Sequence, residues 1–582
     1  MSDAVKGESF ILSNKIGGFL YLGKENYTTY NGMFFNHKFE IFKTVEDFVP
    51  EGEGKPLEVS FDGVKGERIY NNKREIFFMP RGFNALHYRI TKSSKVKLVM
   101  DCRREYDRRE FGRYYTIFEM GNYLVIKFRK VTDDKEDDSN GVEEYVVYTV
   151  LTTRSNKLPL YEVISEFSER FYAREEERGD TSRRHVYEAL MLNGTSFVIA
   201  SSNNLYSAIR EVEYVNKNMK KLQQQYEKFD ADLKDKEITK AYNLCQHTLD
   251  GFLSEIHHSW GMYAGYPWFF QFWTRDEGVS LKALEHIGRT EQAKSIVFAR
   301  SVVHEDGRVN NRFPLSQLGS ADGAGWVFLR FGDFLKYMDS DEKEFMKKRL
   351  ESSIKKLQES YMYQGLVYNR ALETWMDTDW NGDTREGYRI EIQCQMLAML
   401  KLAVKLTKKK KYADAEKKLK NKVRKEFFNG KILADGKDDF TIRPNIFLAY
   451  YTYPQLLTKK EWETVFTRSL ARLYLDWGGL ASIDKTHSLF CKYHTGINNQ
   501  SYHRGDSWFY VNNIAAMCLI DVNYKKFEKE IQDIVKASTE DILYDGITGY
   551  GSEISSAFKR ESKGSPAQLW SNATFIELIK KT

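Results

Sequence analysis

Residues 322–360 read DGAGWVFLRFGDFLKYMDSDEKEFMKKRLESSIKKLQES: a helical pattern over 322–337, a tight turn, then a second helical pattern over 341–360. Residues 361–388 follow with neither helical nor strand period. This unit of two helices, a short turn between them and a long connection after them recurs. Periodicity predicts helices at 237–255, 276–287, 290–303, 322–337, 341–360, 389–406, 411–427, 443–451, 459–473, 506–521, 524–540 and 566–580. Tight turns alternate with connections of about 15–30 residues, long enough in a compact domain to point to function. Strict alternation has a geometric meaning. Six helical hairpins set in a ring bring every long connection to one end and every short turn to the other. The expected architecture of 237–582 is therefore an (α/α)6 toroid with one wide cleft built from loops.

The long connections are unusual in what they carry. All ten tryptophans lie after residue 259, and all but Trp462 fall in these connections or in the opening turns of the next helix: Trp260, Trp268, Trp273, Trp326, Trp375, Trp380, Trp477, Trp508 and Trp570. Core packing would scatter them among the helices. Aromatic faces gathered at one end suit the C–H faces of sugars, and they also suit a protein interface. Asp276, Asp322, Asp377, Asp379, Asp506, Asp545 and Glu553 share that end. Asp276, Asp322 and Asp506 start helices, where a carboxylate can cap free N–H groups. Asp377, Asp379 and Glu553 lie inside loops and have no such explanation. The stretch Asp377 to Asp383 opens like a calcium loop. Tyr388 stands where the twelfth-position glutamate belongs, and Trp380 intrudes early, so calcium is disfavoured. Two loop carboxylates facing one cleft are what glycosidic hydrolysis demands: a protonated one for the leaving oxygen, an ionised one for water.

Upstream the texture changes. Runs such as Leu98 to Met100, Tyr123 to Ile126, Glu144 to Tyr148 and Ser196 to Ile199 alternate with polar breaks at Asp133 to Asp138 and Asn193-Gly194. Residues 1–205 are expected to form an antiparallel β-sandwich, and 206–236 a charged helical bridge to the toroid. The bulk numbers agree with a soluble multidomain chain: 582 residues, net charge +6, 14% aromatic, mean hydropathy −0.56. The charge is nearly balanced and does not indicate nucleic acid. The lysine run at 408–411 reads as a solvated turn. No apolar run is long enough to span a bilayer, and the N-terminus lacks the apolar core of a signal peptide. Five scattered cysteines without metal spacing suit a reducing cytoplasm.

The loops also carry an ordered series of short blocks. They are Ala264-Gly-Tyr-Pro-Trp268-Phe, Trp273-Thr-Arg275-Asp276, Ser320-Ala-Asp322-Gly-Ala-Gly-Trp326, Glu373-Thr-Trp375-Met-Asp377, Glu391-Ile, Tyr502-His503-Arg-Gly505-Asp-Ser-Trp508, Ser552-Glu553-Ile and Pro566-Ala-Gln568-Leu-Trp570-Ser571. In this order they resemble the amylo-α-1,6-glucosidase family, the glucosidase part of glycogen debranching enzymes. The stretch Ser9 to Gly18 with Tyr30-Asn31-Gly32 is similar to that family's N-terminal sandwich. The resemblance implies inverting removal of glucose from α-1,6 branch points of glycogen or related α-glucans, with no metal or organic cofactor. It implies Asp377 as general acid and Glu553 as general base. Arg275 and Asp276 would hold the hydroxyls of the terminal glucose, and Trp268, Trp375 and Trp570 would line its pocket. His503 would hydrogen-bond the sugar near the base. Trp273, Asp322, Trp508 and Gln568 are further candidates for substrate binding from the same blocks. Two departures stand out. Thr28, Thr29 and Asn31 occupy places where the family usually has two arginines and a histidine, and Phe270-Gln271-Phe272 replaces a glycine-rich stretch. An α-1,4-acting glucoamylase or a trehalase on the same scaffold remains an alternative, as does a catalytically silent glycan-binding protein. A phosphorylase of similar build would not need Glu553.

Overall fold

The structure is a computed structural model describing residues 4–132, 143–314 and 319–582; the predicted break at Asp133 to Asp138 lies outside the described residues. Two compact units make up the chain. One comprises Met1–Asp232, Gly251–His258 and Ile547–Gly549; the other comprises Leu233–Asp250, Ser259–Gly546 and Tyr550–Thr582.

The first unit is an antiparallel β-sandwich whose strands form one hydrogen-bonded network. Two twenty-residue strands, Ala85–Arg104 and Arg183–Ser202, tie its layers together. The start of Ala85–Arg104 pairs with Arg74–Phe78 and its remainder with Glu40–Pro50. Arg183–Ser202 pairs first with Leu160–Phe171 and then with Glu143–Thr153. Each strand thus passes from one layer to the other, with a register shift between Gly194 and Ser196 where they turn. Asn193-Gly194 is therefore a bend inside one strand, not the break between strands that its composition suggests. The helix Leu205–Gln224 begins on Asn204, whose side chain accepts from Ser207 N at 3.0 Å. Its Ala208, Val212, Val215, Met219 and Leu222 repeat on one face and pack on Phe78, Val125, Val150 and Val198 of the sheet. Each of the larger side chains gains roughly 1.5–3 kcal/mol by leaving water. That helix is part of the sandwich unit.

The second unit is the helical toroid. Its inner ring consists of Thr274–Ser280, Gly323–Phe334, Ile390–Thr407, Asn445–Thr452, Phe509–Asn523 and Leu569–Lys581, each touching the next, with the last packed on the first. Lys236–Phe252, Thr290–Arg300, Ser340–Tyr361, Lys410–Phe427, Lys459–Leu473 and Glu528–Glu540 alternate with them along the chain. The sequence dictates which helix goes where. Leu569–Lys581 is buried at every position from Leu569 to Ile579, as an inner helix must be. Ser340–Tyr361 buries a single stripe through Met346, Leu350, Ile354, Leu357 and Tyr361, and starts in a capping box between Asp339 and Glu342. Inner neighbours approach closely where they carry glycine. A Cβ on Gly278 would lie 2.5 Å from Trp326 Cβ, and one on Gly325 would lie 2.5 Å from Gln395 Cβ. Among the described residues no helix is long and apolar enough to cross a membrane.

Candidate active site

The long connections meet at the N-terminal ends of the inner helices, around a cavity of about 90 Å³. The first connection is a hairpin, Ser259–Tyr266 against Phe269–Trp273, that runs straight into Thr274–Ser280. It brings Phe269, Trp273, Arg275 and Asp276 to the cavity. The sixth connection is stitched to this hairpin, since Gln568 and Ala567 pair with Gly265 and Tyr266. Gln568 and Trp570 enter the cavity that way. The fifth is joined to the sixth by Ser507–Trp508 paired with Ile554–Ser555, so Tyr502, Trp508 and Glu553 share a wall. The third supplies Trp375 and Asp377. The other two connections hold these groups from behind. Asp322 accepts from Arg275 Nε at 2.7 Å, and Asn445 accepts from Trp375 Nε1 at 2.7 Å. Asn445 in turn donates to Asp435, which is paired with Arg385, and Arg385 also binds Glu391.

The two loop carboxylates differ in their surroundings. Glu553 is 3% exposed and fully engaged: Tyr502 Oη donates to Oε1 at 2.6 Å and Ser565 N to Oε2 at 2.8 Å. Such donors favour a charged carboxylate. Gly564 permits this approach, because a Cβ there would lie 2.3 Å from Glu553 Oε2. The Asp377 side chain is 42% exposed, with Arg275 Nη1 donating to Oδ2 at 3.2 Å. Close-packed protein around it pushes its carboxyl above the ordinary value; Arg275 opposes the shift and Asp322 adds to it. A sugar seated over Asp377 would displace the remaining water and strengthen the push. Burial holds the Asp276 carboxyl well above its usual range, against Arg275 and with help from Glu553 and Asp377. Gln568 Nε2 donates to Asp276 Oδ1 at 3.1 Å, while Gln568 Oε1 and Trp570 Nε1 have no partner among the described residues. The site therefore offers one well-held carboxylate, one solvent-reachable carboxyl, and unsatisfied polar atoms between aromatic walls.

Residues 247–577, more than half of the chain, match the family model described as amylo-alpha-1,6-glucosidase. The chain belongs to the amylo-α-1,6-glucosidase family. It is accordingly a glycoside hydrolase with a glucoamylase-like fold. A bacterial glucoamylase complexed with acarbose is similar over 100% of this chain and 95% of its own, at 12% identity and a TM-score of 0.61. A glycosidase in complex with glucose is similar over 60% of this chain and 99% of its own, at 11% identity and a TM-score of 0.47. At these identities the likeness concerns fold. No curated protein matches the chain.

Within this family member, Trp273, Arg275, Asp276, Trp375, Asp377, Trp508, Glu553, Gln568 and Trp570 all line the cavity. Three other candidates stand elsewhere. Trp268 is half-buried at the tip of the first hairpin, and its neighbour Phe269 lines the cavity. Asp322 is 1% exposed and lies behind Arg275; although it precedes helix Gly323–Phe334, it does not cap it, because its oxygens take Arg275 and the Ser320 hydroxyl. His503 is 1% exposed, stacked 5.0 Å from Trp508, with Nδ1 at 3.0 Å from Thr378 Oγ1. Burial, then Arg504 and Arg443, drive its pKa far down, which favours the neutral ring, and its Nε2 has no partner among the described residues. From sequence, Trp375 and Trp380 flanking Asp377 predict an apolar acid, and the polar lead-in Gly549-Tyr550-Gly551-Ser552 predicts a better solvated Glu553. In the structure the exposure of the two is reversed. Trp375 turns its indole N–H away to Asn445, and Tyr502 with Gly564 and Ser565 closes over Glu553. Tyr502 lines the cavity and donates to Glu553, and the sequence did not single it out, although it heads one of the blocks quoted above. In the calcium-like stretch, Asp383 is taken by Arg443 and Arg504, and Asp379 accepts from Gly382 N. In the first unit, Thr28, Thr29 and Asn31 are tied locally: both threonine hydroxyls donate to Glu175, and Asn31 accepts from Thr28 N.

Proposed function

We propose that the chain removes glucose from α-1,6 branch points of glycogen or a related α-glucan, by an inverting mechanism in which Asp377 is the acid and Glu553 the base. The observation that carries this reading is the pair itself: two carboxylates of opposite character lining one narrow, tryptophan-walled cavity. Arg275, Asp276 and Gln568 would hold the hydroxyls of the terminal glucose, with Trp375, Trp508 and Trp570 against its C–H faces. Asp377, whose carboxyl its surroundings push above its ordinary value, gives its proton to the leaving oxygen. Glu553 draws the proton from water on the other face of the ring, held in orientation by Tyr502 and Ser565 N. The family match supports a glucosidase of this kind. The test is hydrolysis of panose, isomaltose, maltose and trehalose, with products followed by NMR. Faster release of glucose from panose and isomaltose than from maltose is the expected result. A preference for maltose or trehalose would replace the α-1,6 assignment with an α-1,4 or α,α-1,1 one.

A further inference from the structure

A second cavity, about 360 Å³, opens at the other end of the helical ring. Four of the six inner helices reach it with residues far from their N-termini, and a fifth reaches it with a residue just past its C-terminus. Arg330 and Asp333 come from Gly323–Phe334, Tyr451 from Asn445–Thr452, Met517 and Asp521 from Phe509–Asn523, and Glu577 from Leu569–Lys581; Lys282 follows Thr274–Ser280. None of these residues lines the candidate active site.

The polar groups form a relay with one place left open. Arg330 is 1% exposed and donates to Gly278 O, to Asp333 and, at 3.0 Å, to Tyr451 Oη. Tyr451 Oη in turn donates a hydrogen bond to Glu577 Oε2 at 2.9 Å, and Lys282 Nζ lies 3.6 Å from that oxygen. Lys581 pairs with Asp521 at 2.8 Å. Glu577 is 4% exposed, and its Oε1 has no hydrogen-bond partner among the described residues. A buried carboxyl oxygen left without a partner is costly, since it has given up its water for nothing. Fastening the ring would account for Arg330 and Tyr451, and accounts neither for that oxygen nor for the open volume.

The lining chemistry indicates what fits. Lys282, Arg330, Lys580 and Lys581 face Asp333, Asp521 and Glu577, so charge is nearly balanced and favours neither an anion nor a cation. The walls carry both donors and acceptors, together with apolar surface from Tyr450, Tyr451, Leu329 and Met517. Hydroxyl groups both donate and accept, so a neutral polyhydroxylated ring suits a wall of mixed donors and acceptors. We propose that this cavity is a second, non-catalytic binding site for a neutral mono- or disaccharide, whose hydroxyl donates to Glu577 Oε1.

The test uses the full chain labelled with ¹³C at the methionine methyls, with the Met517 signal assigned through Met517→Leu. Titration with glucose and with maltose should shift the Met517 methyl saturably, in the wild type and equally in Glu553→Gln, which separates this site from the active-site reading. Glu577→Gln should weaken the binding that Met517 reports by about tenfold, equivalent to ~1.4 kcal/mol. Lys282→Met should weaken it as well. The Lys282 side chain is 41% exposed, so that variant carries the test if Glu577→Gln fails to fold. A Met517 signal unmoved up to molar sugar would overturn the proposal. So would a shift that follows inorganic phosphate instead of sugar, or variants that bind as the wild type does.

Discussion

Asp377 and Glu553 are chemically similar groups made different by four neighbours: Arg275 and Asp322 on one side, Tyr502 and Ser565 on the other. The assignment of acid and base rests on that difference and can be tested by substitution. Asp377→Asn should slow cleavage of panose by roughly a hundred- to ten-thousandfold, the usual worth of a general acid, and affect α-glucosyl fluoride far less. Fluoride leaves without a proton. Glu553→Gln should slow both substrates, because water still lacks its base. Equal losses on both substrates in Asp377→Asn would remove Asp377 as the acid. Glu373 and Asp379, its nearest alternatives in sequence, are poorer candidates in the fold, since Glu373 is clamped by Arg308 at 2.7 and 3.0 Å and neither residue lines the cavity. The pH profile gives a second test. As the proposed acid Asp377 works protonated, so activity is expected to fall as pH rises through its pKa. Asp322 raises that pKa and Arg275 lowers it. Asp322→Asn removes the raising charge and frees Arg275 to act on Asp377, so the alkaline limb of kcat should move to lower pH. An alkaline limb that stays in place or moves upward would break the proposed link between the three residues.

At the scale of elements, the loop bearing Glu553 is anchored by a buried acid. Asp541 accepts from Ser552 N at 2.7 Å, one residue before the base, and burial pushes its pKa up to about 8. The folded state therefore holds a proton that the unfolded chain has already lost at neutral pH. The stability this gives is complete below the unfolded value near 4 and disappears as pH rises through about 8. Asp541→Asn keeps an acceptor for Ser552 N and removes the ionisation. Its melting temperature should fall less steeply than that of the wild type between pH 5 and 8.5, as followed by circular dichroism. Parallel curves would show that Asp541 is not the titrating group. The elements themselves were largely legible. Each helix predicted in 237–582 has a counterpart, because helices of this length repeat an apolar period many times over. The first counterpart of an inner helix is split into Thr274–Ser280 and Ala283–His286. The hairpin Ser259–Tyr266 with Phe269–Trp273 was not legible, since its aromatics fall on both faces and read as loop. Pairs as short as Ser507–Trp508 with Ile554–Ser555 have no period at all, and they are what bring Glu553 to Tyr502.

For the whole molecule, the alternation of short and long connections carried most of the information. It gave the ring, and the ring brings residues as far apart in sequence as Asp276 and Gln568 into one cavity. The tryptophans marked the same end, because indoles placed in loops are not needed by the helical core. What alternation cannot give is depth. Trp268 and Phe269 are adjacent in sequence, and only the hairpin turn decides which of them faces the cavity. Exposure of the two carboxylates failed for a related reason, as Tyr502 and Gly564 close over Glu553 from segments remote from its own Gly551-Ser552 lead-in. Catalysis by an acid and a base on opposite faces of the sugar fixes the stereochemistry of the product. The most direct measurement is therefore the anomer first released from panose, read by ¹H NMR before mutarotation sets in. β-Glucose as the initial product is the expected result, since water attacks opposite the departing oxygen. α-Glucose as the initial product would mean retention, and would make Glu553 a nucleophile or a bystander instead of the base.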